Sequence, residues 1–229
     1  MLPIKDDAPR YTTPYVNYLL IALNLVVFLF ELALAPDDRN AFVMHFGEVP
    51  ASLPAAFHLG SGLSHTAAFL PLLTSMFLHA SWLHLIFNMW ALWIFGDNVE
   101  DYLGHFRYLA FYLSSGIIGG LVHIAFNWNS IVPTVGASGA IAGVMGAYFL
   151  LYPGARVLTW FFVFLAWLPA WVVLGYWFVV QFLGGAATAI AYSTHSTGGV
   201  AVWAHVGGFI AGLTMIKLLP ERPQRFSYE

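Results

Sequence analysis

The sequence predicts an all-α membrane protein, built as a bundle of six transmembrane helices. Three observations predict this fold: the composition, the lengths of the apolar runs and the distribution of basic residues. Of the 229 residues, 60% are hydrophobic and only 8% are charged, and the mean hydropathy is +0.76. A soluble domain carries about 25% charged residues, so this surface cannot face water all round. Several spans of about 20 residues each leave no room for a sizeable soluble domain.

Apolar runs define the helices in chain order. The predicted helices lie at 15–35, 76–96, 106–127, 137–153, 169–187 and 201–219. The first run is longer than the core of a signal peptide and no small-residue cleavage site follows it, so we expect it to remain as the first helix. The predicted organisation is a short cytoplasmic tail at 1–14, a membrane domain at 15–219 with a long first loop at 36–75, and a cytoplasmic tail at 220–229.

The region 157–191 is apolar almost throughout and could be read as one span or two. Pro169 interrupts it, and the part before Pro169 is too short to cross a membrane. Basic residues precede the first helix, follow the second and fourth, and close the chain: Lys5, Arg10, Arg107, Arg156, Lys217, Arg222 and Arg225. By the positive-inside rule both termini are cytoplasmic and the number of spans is even. We therefore expect six spans in the plasma membrane, with 157–168 as an aromatic loop at the lipid interface.

Residue types that the chain lacks exclude several classes of function. There is no cysteine, so thiol nucleophiles, disulfides and cysteine-based zinc sites are ruled out. A net charge of −3 argues against a nucleic-acid partner. His-Glu-x-x-His does not occur, and the acidic residues lie at span ends, which argues against a metalloprotease and a paired-aspartate membrane protease. We expect no cofactor and no metal.

Ser138 is the first candidate for chemistry, because it lies at the predicted start of the fourth helix. Backbone N–H groups there lack intrahelical partners and the helix dipole favours negative charge. That environment suits an oxyanion beside a serine nucleophile. The alternative is an ordinary N-cap serine in a helix whose small residues serve packing.

His205 lies near the start of the sixth helix, at the same predicted depth as Ser138. The small residues Ser138, Ala142 and Gly146 form one stripe, and Gly208 and Gly212 form another below His205. If these stripes face each other, the two helices approach closely and Ser138 meets His205. No carboxylate lies near these helix ends, so the pair would act as a dyad. A histidine bonded to a carbonyl between helices is the alternative, and His123 satisfies the same depth argument.

His84 and Asn88, four residues apart on the second helix, share one face and could stabilise a developing oxyanion. Interhelical hydrogen bonding is an equally good explanation of both. His79 is five residues from His84, so we expect the two not to share a face or to form a metal pair. We interpret residues 96–101 as a structural cap and turn between helices two and three.

Together these motifs resemble the rhomboid family of intramembrane serine proteases. The motifs are Leu-Thr-Ser-Met-Phe-Leu-His at 73–79, His84-x-x-x-Asn88, Gly-Asp-Asn-Val-Glu-Asp at 96–101, Gly136-Ala-Ser138-Gly139 and Ala204-His205-x-Gly-Gly. The resemblance implies a six-helix fold of rhomboid type and a Ser138–His205 dyad. It also implies an oxyanion site made by the Ser138 N–H with His84 and Asn88, and a water-filled cavity that opens outward.

Two positions depart from the family's pattern. Leu70-Pro71 stands where members often carry Trp-Arg, which concerns anchoring of the first loop. Ala142 stands where some members carry a tyrosine that stacks on the histidine, so support for the His205 ring would come from elsewhere.

The resemblance implies an intramembrane serine endopeptidase that cleaves peptide bonds in or next to transmembrane segments. Its partners would be transmembrane protein substrates and membrane lipid, with no obligate soluble partner evident. Two alternatives stay open. One is a catalytically silent family member that binds membrane partners. The other is a small transporter or channel with a histidine proton relay, although the sequence lacks the internal repeat that transporters often show.

Overall fold

The computed structural model describes residues 1–57, 64–161, 163–191 and 201–222, and these residues are mostly helical. The helices are α1 (Tyr15–Ala33), α2 (Pro36–Phe46), α3 (Ser52–Ala55), α4 (His65–Thr74), α5 (Trp82–Leu103), α6 (His105–Phe126), α7 (Ser138–Leu151), α8 (Ala170–Ala191) and α9 (Val202–Leu218). A 3-10 turn, Ser75–Phe77, follows α4. The strands are β1 (Leu2–Asp6), β2 (Arg156–Phe161) and β3 (Phe164–Pro169).

Helices α1, α6, α7, α8 and α9 lie close to their predicted ranges, and α5 overlaps its predicted range but is shifted towards the C-terminus. Within the described part of the chain, α1, α6 and most of α8 are long and apolar enough to cross a membrane. A fourth candidate span is the pair His65–Phe77 and Trp82–Leu103, which is bent by 80°. Helices α7 and α9 are apolar but shorter. The chain is therefore an integral membrane protein, while the count of six spans stays a prediction.

Helix α5 differs from its prediction at both ends. It begins at Trp82, after the Ser81 hydroxyl accepts a hydrogen bond from the His84 N–H at 3.2 Å. It continues to Leu103, so residues 96–101 are its last turns and the prediction of a turn there was wrong. Gly104 makes the turn with φ 77°, a conformation that glycine adopts without steric cost.

Residues 96–101 do have the structural role that we predicted. The Glu100 carboxylate accepts hydrogen bonds from the Val16 and Asn17 N–H groups at 3.0 and 2.7 Å. These groups lie at the start of α1, where a negative charge is favourable. Asp101 accepts from the Tyr11 N–H and from Arg222, each at 3.0 Å. The two ends of the described chain therefore meet at one end of α5.

A three-stranded antiparallel sheet departs from the all-α prediction. Strands β2 and β3 form a hairpin in the segment that we predicted as a loop, and β1 from the N-terminal tail pairs with β2. Asp7 extends this pairing, since its carboxylate accepts a 2.8 Å bond from the Arg156 guanidinium. Hydrogen bonds from Arg156 lower the pKa of Asp7 below its usual value. The hairpin is apolar on both faces, so its sequence lacks the alternation that would predict strands.

The core centres on α7, which packs against α6 and α9 at backbone distance. A Cβ atom placed on Gly208 would overlap the carbonyl oxygen of Gly139, and one on Gly212 would overlap that of Gly143. Close approach of small-residue stripes was predicted, but the stripe on α7 consists of Gly139, Gly143 and Gly146 rather than Ser138, Ala142 and Gly146. Ser138 therefore lies beside the contact line and its side chain stays available.

Candidate active site

Ser138 and His205 meet at one end of the α7–α9 contact. Ser138 is the first residue of α7, and His205 lies in the first turn of α9 with 7% of its surface exposed. The Ser138 Oγ and His205 Nε2 atoms are 2.7 Å apart, within the 2.6–3.2 Å range of a nucleophile and its base. The glycine contacts below them make this distance possible, because larger residues there would force the helices apart.

Helix α8 holds the other side of the His205 ring. The Nδ1 atom lies 2.8 Å from the Oε1 atom of Gln181. The Trp177 ring, one turn earlier on α8, has its centroid 5.7 Å from that of His205. These two residues supply the support that Ala142 cannot give. Sequence reasoning missed Gln181, although a single amide in an otherwise apolar helix was a signal that could have found it.

His84 and Asn88 lie beside the peptide that leads into Ser138. Gly136 has φ 123°, and a Cβ atom there would be 2.6 Å from the His84 ring and 3.7 Å from Asn88 Nδ2. Asn88 is 6% exposed, and its Nδ2 has no hydrogen-bond partner within the described ranges. A buried amide donor without a partner is costly, so a group that accepts a hydrogen bond here would be stabilised.

His79 contradicts one expectation drawn from helix spacing. It precedes α5 instead of lying on it, so the spacing of helix faces does not apply, and its ring contacts that of His84 at 5.1 Å between centroids. Its backbone N–H donates to the Glu31 carboxylate of α1 at 3.2 Å. In the part of the chain that the structure describes, no group of three or more potential metal ligands is arranged to hold an ion.

His123, which satisfied the same depth argument as His205, is engaged elsewhere. Its Nε2 lies 3.1 Å from the Thr134 hydroxyl, and its Nδ1 lies 3.3 Å from the Asn127 amide. Both partners belong to the connection between α6 and α7. His123 therefore fixes that connection, while His205 is the histidine that contacts Ser138.

Backbone hydrogen bonds hold the segment before Ser138 against the first loop. Glu48 and Thr134 exchange two N–H to carbonyl bonds of 2.9 and 2.7 Å, and the Gly136 N–H donates to the Ser75 carbonyl at 2.9 Å. A cavity of about 20 Å³ lies between these segments and includes Ser138 in its lining. That volume accommodates about one water molecule. Glu48 also lines it, and burial raises the pKa of this carboxyl group to about 8.

Comparison with known proteins finds one family across most of the chain. The Rhomboid domain family matches residues 66–222, a range that contains Ser138, His205, His84 and Asn88. Rhomboid protease GluP of Bacillus subtilis is 36% identical over 159 residues, which cover 66% of this chain and 28% of that protein. Rhomboid protein 1, mitochondrial, of Saccharomyces cerevisiae is 34% identical over 143 residues, covering 61% of this chain and 38% of that protein.

A third relative aligns over more of the chain. The presenilin-associated rhomboid-like protein, mitochondrial, of Bos taurus is 30% identical over 205 residues, which cover 86% of this chain and 46% of that protein. The chain thus spans less than half the length of each of these three relatives. With the Rhomboid domain extending over residues 66–222, the chain belongs to the rhomboid family.

Proposed function

We propose that the chain is an intramembrane serine endopeptidase that cleaves membrane proteins in or next to their transmembrane segments. The observation that carries the proposal is the 2.7 Å contact between Ser138 Oγ and His205 Nε2. Membership of a family that includes a relative named as a protease adds support. The silent-member alternative is disfavoured because both residues of the pair are present. The transporter alternative has no support in the family match.

The proposed mechanism uses Ser138 as nucleophile and His205 as base. His205 Nε2 takes the Ser138 proton as Oγ attacks the scissile carbonyl carbon. The carbonyl oxygen becomes an oxyanion, which the Ser138 N–H, His84 and Asn88 stabilise. His205 then gives the proton to the leaving amine as the C–N bond breaks. Water, activated by the same histidine, hydrolyses the acyl-enzyme and regenerates Ser138.

The proposed substrates are membrane proteins whose helix unwinds locally near Ser138. A helix screens its carbonyls with its own hydrogen bonds, and freed backbone within the membrane is tolerated only inside protein or beside water. Segments containing glycine, serine or proline should therefore be cleaved preferentially. Both termini would be cytoplasmic. The expected plasma membrane gains no support from the relatives, of which several carry mitochondrial names.

Labelling with a fluorophosphonate tests the proposal, combined with cleavage of a model transmembrane substrate in proteoliposomes. We expect the wild-type chain to be labelled, and Ser138→Ala and His205→Ala each to lose labelling and to lower cleavage by a factor on the order of 10³ or more. Ser114→Ala on α6 and His45→Ala at the exposed end of α2 are matched controls that should behave as wild type. Labelling that persists in Ser138→Ala would contradict the proposal.

A further inference from the structure

A dyad needs a histidine whose neutral ring presents the correct nitrogen. Neutral imidazole carries one proton, so one ring nitrogen donates and the other accepts. His205 Nε2 faces Ser138 at 2.7 Å. It can take the serine proton only if its own proton sits on Nδ1. In triad enzymes a buried carboxylate selects this tautomer by accepting from Nδ1.

The residue at His205 Nδ1 in this chain is Gln181. Among the described residues, the ring nitrogens of His205 have two hydrogen-bond partners, Ser138 and Gln181, and neither is a carboxylate. The Gln181 Oε1 atom lies 2.8 Å from Nδ1. An amide oxygen accepts and cannot donate, so this contact requires the proton to sit on Nδ1. The required tautomer then leaves the Nε2 lone pair facing the Ser138 hydroxyl.

An amide suits this position better than a carboxylate does. Gln181 lies on α8, an apolar helix that is long enough to cross a membrane. An ionised side chain on such a helix is costly, whereas a neutral amide carries no charge. When His205 takes up the serine proton, the same contact becomes a hydrogen bond from a charged donor, which is shorter and stronger than one between neutral groups. Trp177, on the preceding turn of α8, contacts the same ring and limits its rotation.

We propose that Gln181 is a positioning residue which fixes His205 in the Nδ1-protonated tautomer, in the place that a carboxylate takes in a triad. The inference rests on the proposed function, because it assigns a role to a neighbour of the proposed base. One part of the inference can be tested without catalysis, because the Gln181 amide would set the tautomer of His205 in the resting protein. The opposite orientation of the amide would donate to Nδ1, place the proton on Nε2 and block the proposed base.

The first test reads the tautomer directly. The full chain, labelled with ¹⁵N in histidine and reconstituted in nanodiscs, gives imidazole nitrogen shifts that distinguish the two tautomers, and His205→Ala identifies the relevant signals. We expect wild type to carry the proton on Nδ1. We expect Gln181→Met, which is similar in size and offers only a weak sulfur acceptor, to show a mixture of the two tautomers. Val180→Met is the matched control on the exposed side of α8 and should leave the signals unchanged. A wild-type proton on Nε2 would overturn the proposal.

The second test measures cleavage of the model transmembrane substrate. We expect Gln181→Met to lower kcat about 10- to 100-fold, less than the roughly 10⁴-fold loss that a wrong tautomer causes in a triad enzyme, with KM within about twofold. Gln181→Glu keeps an oxygen that can accept from Nδ1 but places a costly charge on an apolar helix, so we expect it to recover only part of the kcat that Gln181→Met loses. Equal losses in Gln181→Met and Val180→Met, or an unchanged kcat in Gln181→Met, would contradict the positioning role. If Gln181→Met fails to fold, Gln181→Leu replaces it in both tests.

The two proposals fail in different ways. If labelling persists in Ser138→Ala, the proposed function fails, and the nitrogen spectra still decide whether Gln181 sets the tautomer. If Ser138→Ala abolishes labelling while the Gln181→Met spectra match those of wild type, the protease stands and the positioning role falls.

Discussion

Glu48 carries a carboxyl group that folding removes from water without providing a full set of partners. The residue is 5% exposed, and its Oε1 atom has no hydrogen-bond partner in the described part of the chain. It lies in the connection between α2 and α3, where its backbone pairs with Thr134. Burial raises the pKa of the side chain from 4.5 to about 8. At neutral pH the folded protein therefore holds a proton that the unfolded chain releases.

This proton makes stability depend on pH. Between about pH 4.5 and pH 8 the folded state binds one proton more than the unfolded state at Glu48. The contribution of Glu48 to the free energy of unfolding is therefore highest below pH 4.5, falls as the pH rises, and levels off above about pH 8. We expect Glu48→Gln to remove this dependence, so that its stability advantage over wild type grows by up to about 1.4 kcal/mol per pH unit in that window.

Unfolding of purified protein in detergent at pH 5, 7 and 9 measures this difference. Asp37→Asn, which removes an exposed carboxylate at the start of α2, is the matched control for the loss of a carboxyl group. A constant offset between Glu48→Gln and wild type across the three pH values would mean that Glu48 ionises alike in the folded and unfolded states.

Some of the candidate functional side chains can be identified from the sequence, and others cannot. Ser138, His205, His84 and Asn88 could be proposed as site residues from the sequence, because each belongs to a short motif of polar residues within an apolar helix. Gln181 and Glu48 were not found, because their importance depends on residues that lie 24 and 86 positions away, at His205 and Thr134. Chain position alone does not reveal such pairs. The His79–His84 contact was missed for a related reason, since helix spacing was applied beyond the true start of α5.

At the scale of elements, the close backbone approach between α7 and α9 determines whether the side chains of Ser138 and His205 can meet. Small residues permit it, and their spacing of three or four residues could be recognised in the sequence. Which small residues face the partner depends on the rotation of α7 about its axis. The sequence does not reveal this rotation. In the structure α7 is rotated so that Gly139 and Gly143, rather than Ser138 and Ala142, face α9.

The sheet is the element that the sequence predicts least well. Strands β2 and β3 carry large exposed apolar side chains, as does the turn between them, where Val163 is 92% exposed, so both faces of the hairpin look alike in the sequence. Their outward surface has the character of a membrane interface, where aromatic rings and basic groups meet. Lys5 and Arg156 both lie within 6 Å of the Trp167 ring, at 5.7 and 5.8 Å. The interfacial location of this segment stays a prediction, while the predicted loop is a hairpin.

Substitutions at the helix contact test its importance. A methyl group on Gly208 or Gly212 would overlap a carbonyl oxygen of α7, so the helices must separate. We expect Gly208→Ala and Gly212→Ala each to lower stability by about 1–3 kcal/mol, as overpacking does in cores, and to slow fluorophosphonate labelling of Ser138. Unfolding in detergent and labelling rates measure both effects.

The matched control is Gly154→Ala, because no atom lies within 4 Å of a methyl group at that position. It should leave labelling unchanged. If all three alanine variants behaved as wild type, α7 and α9 would not be held together by this contact.

At the scale of the whole molecule, the two ends of the bundle carry different residues. One end holds the α5 carboxylates, the N-terminal segment and Arg222, whose backbone N–H also donates to the Tyr102 carbonyl at 2.9 Å. The other end holds Ser138, His205 and the pairing of Glu48 with Thr134. Helix α7 runs from Ser138 towards the sheet, and α9 runs from near Ser138 towards Tyr102. Both short helices therefore connect the two ends, over about 21 and 25 Å at 1.5 Å per residue for 14 and 17 residues.

The directions of α7 and α9 are consistent with the predicted topology, in which the chain crosses the membrane six times and both termini lie on one side. Because the chain contains no cysteine, single cysteines can be introduced and probed in sealed vesicles with a maleimide that does not cross the membrane. We expect Tyr11→Cys and Leu218→Cys to react from one side, and Asp38→Cys and Asn129→Cys to react from the other. Ser138 should lie on the same side of the membrane as Asp38 and Asn129, because Asn129 belongs to the connection that leads into α7. If Tyr11→Cys and Leu218→Cys reacted from opposite sides, the number of crossings would be odd. The contacts of Arg222 and Tyr11 with the same Asp101 carboxylate could not then form.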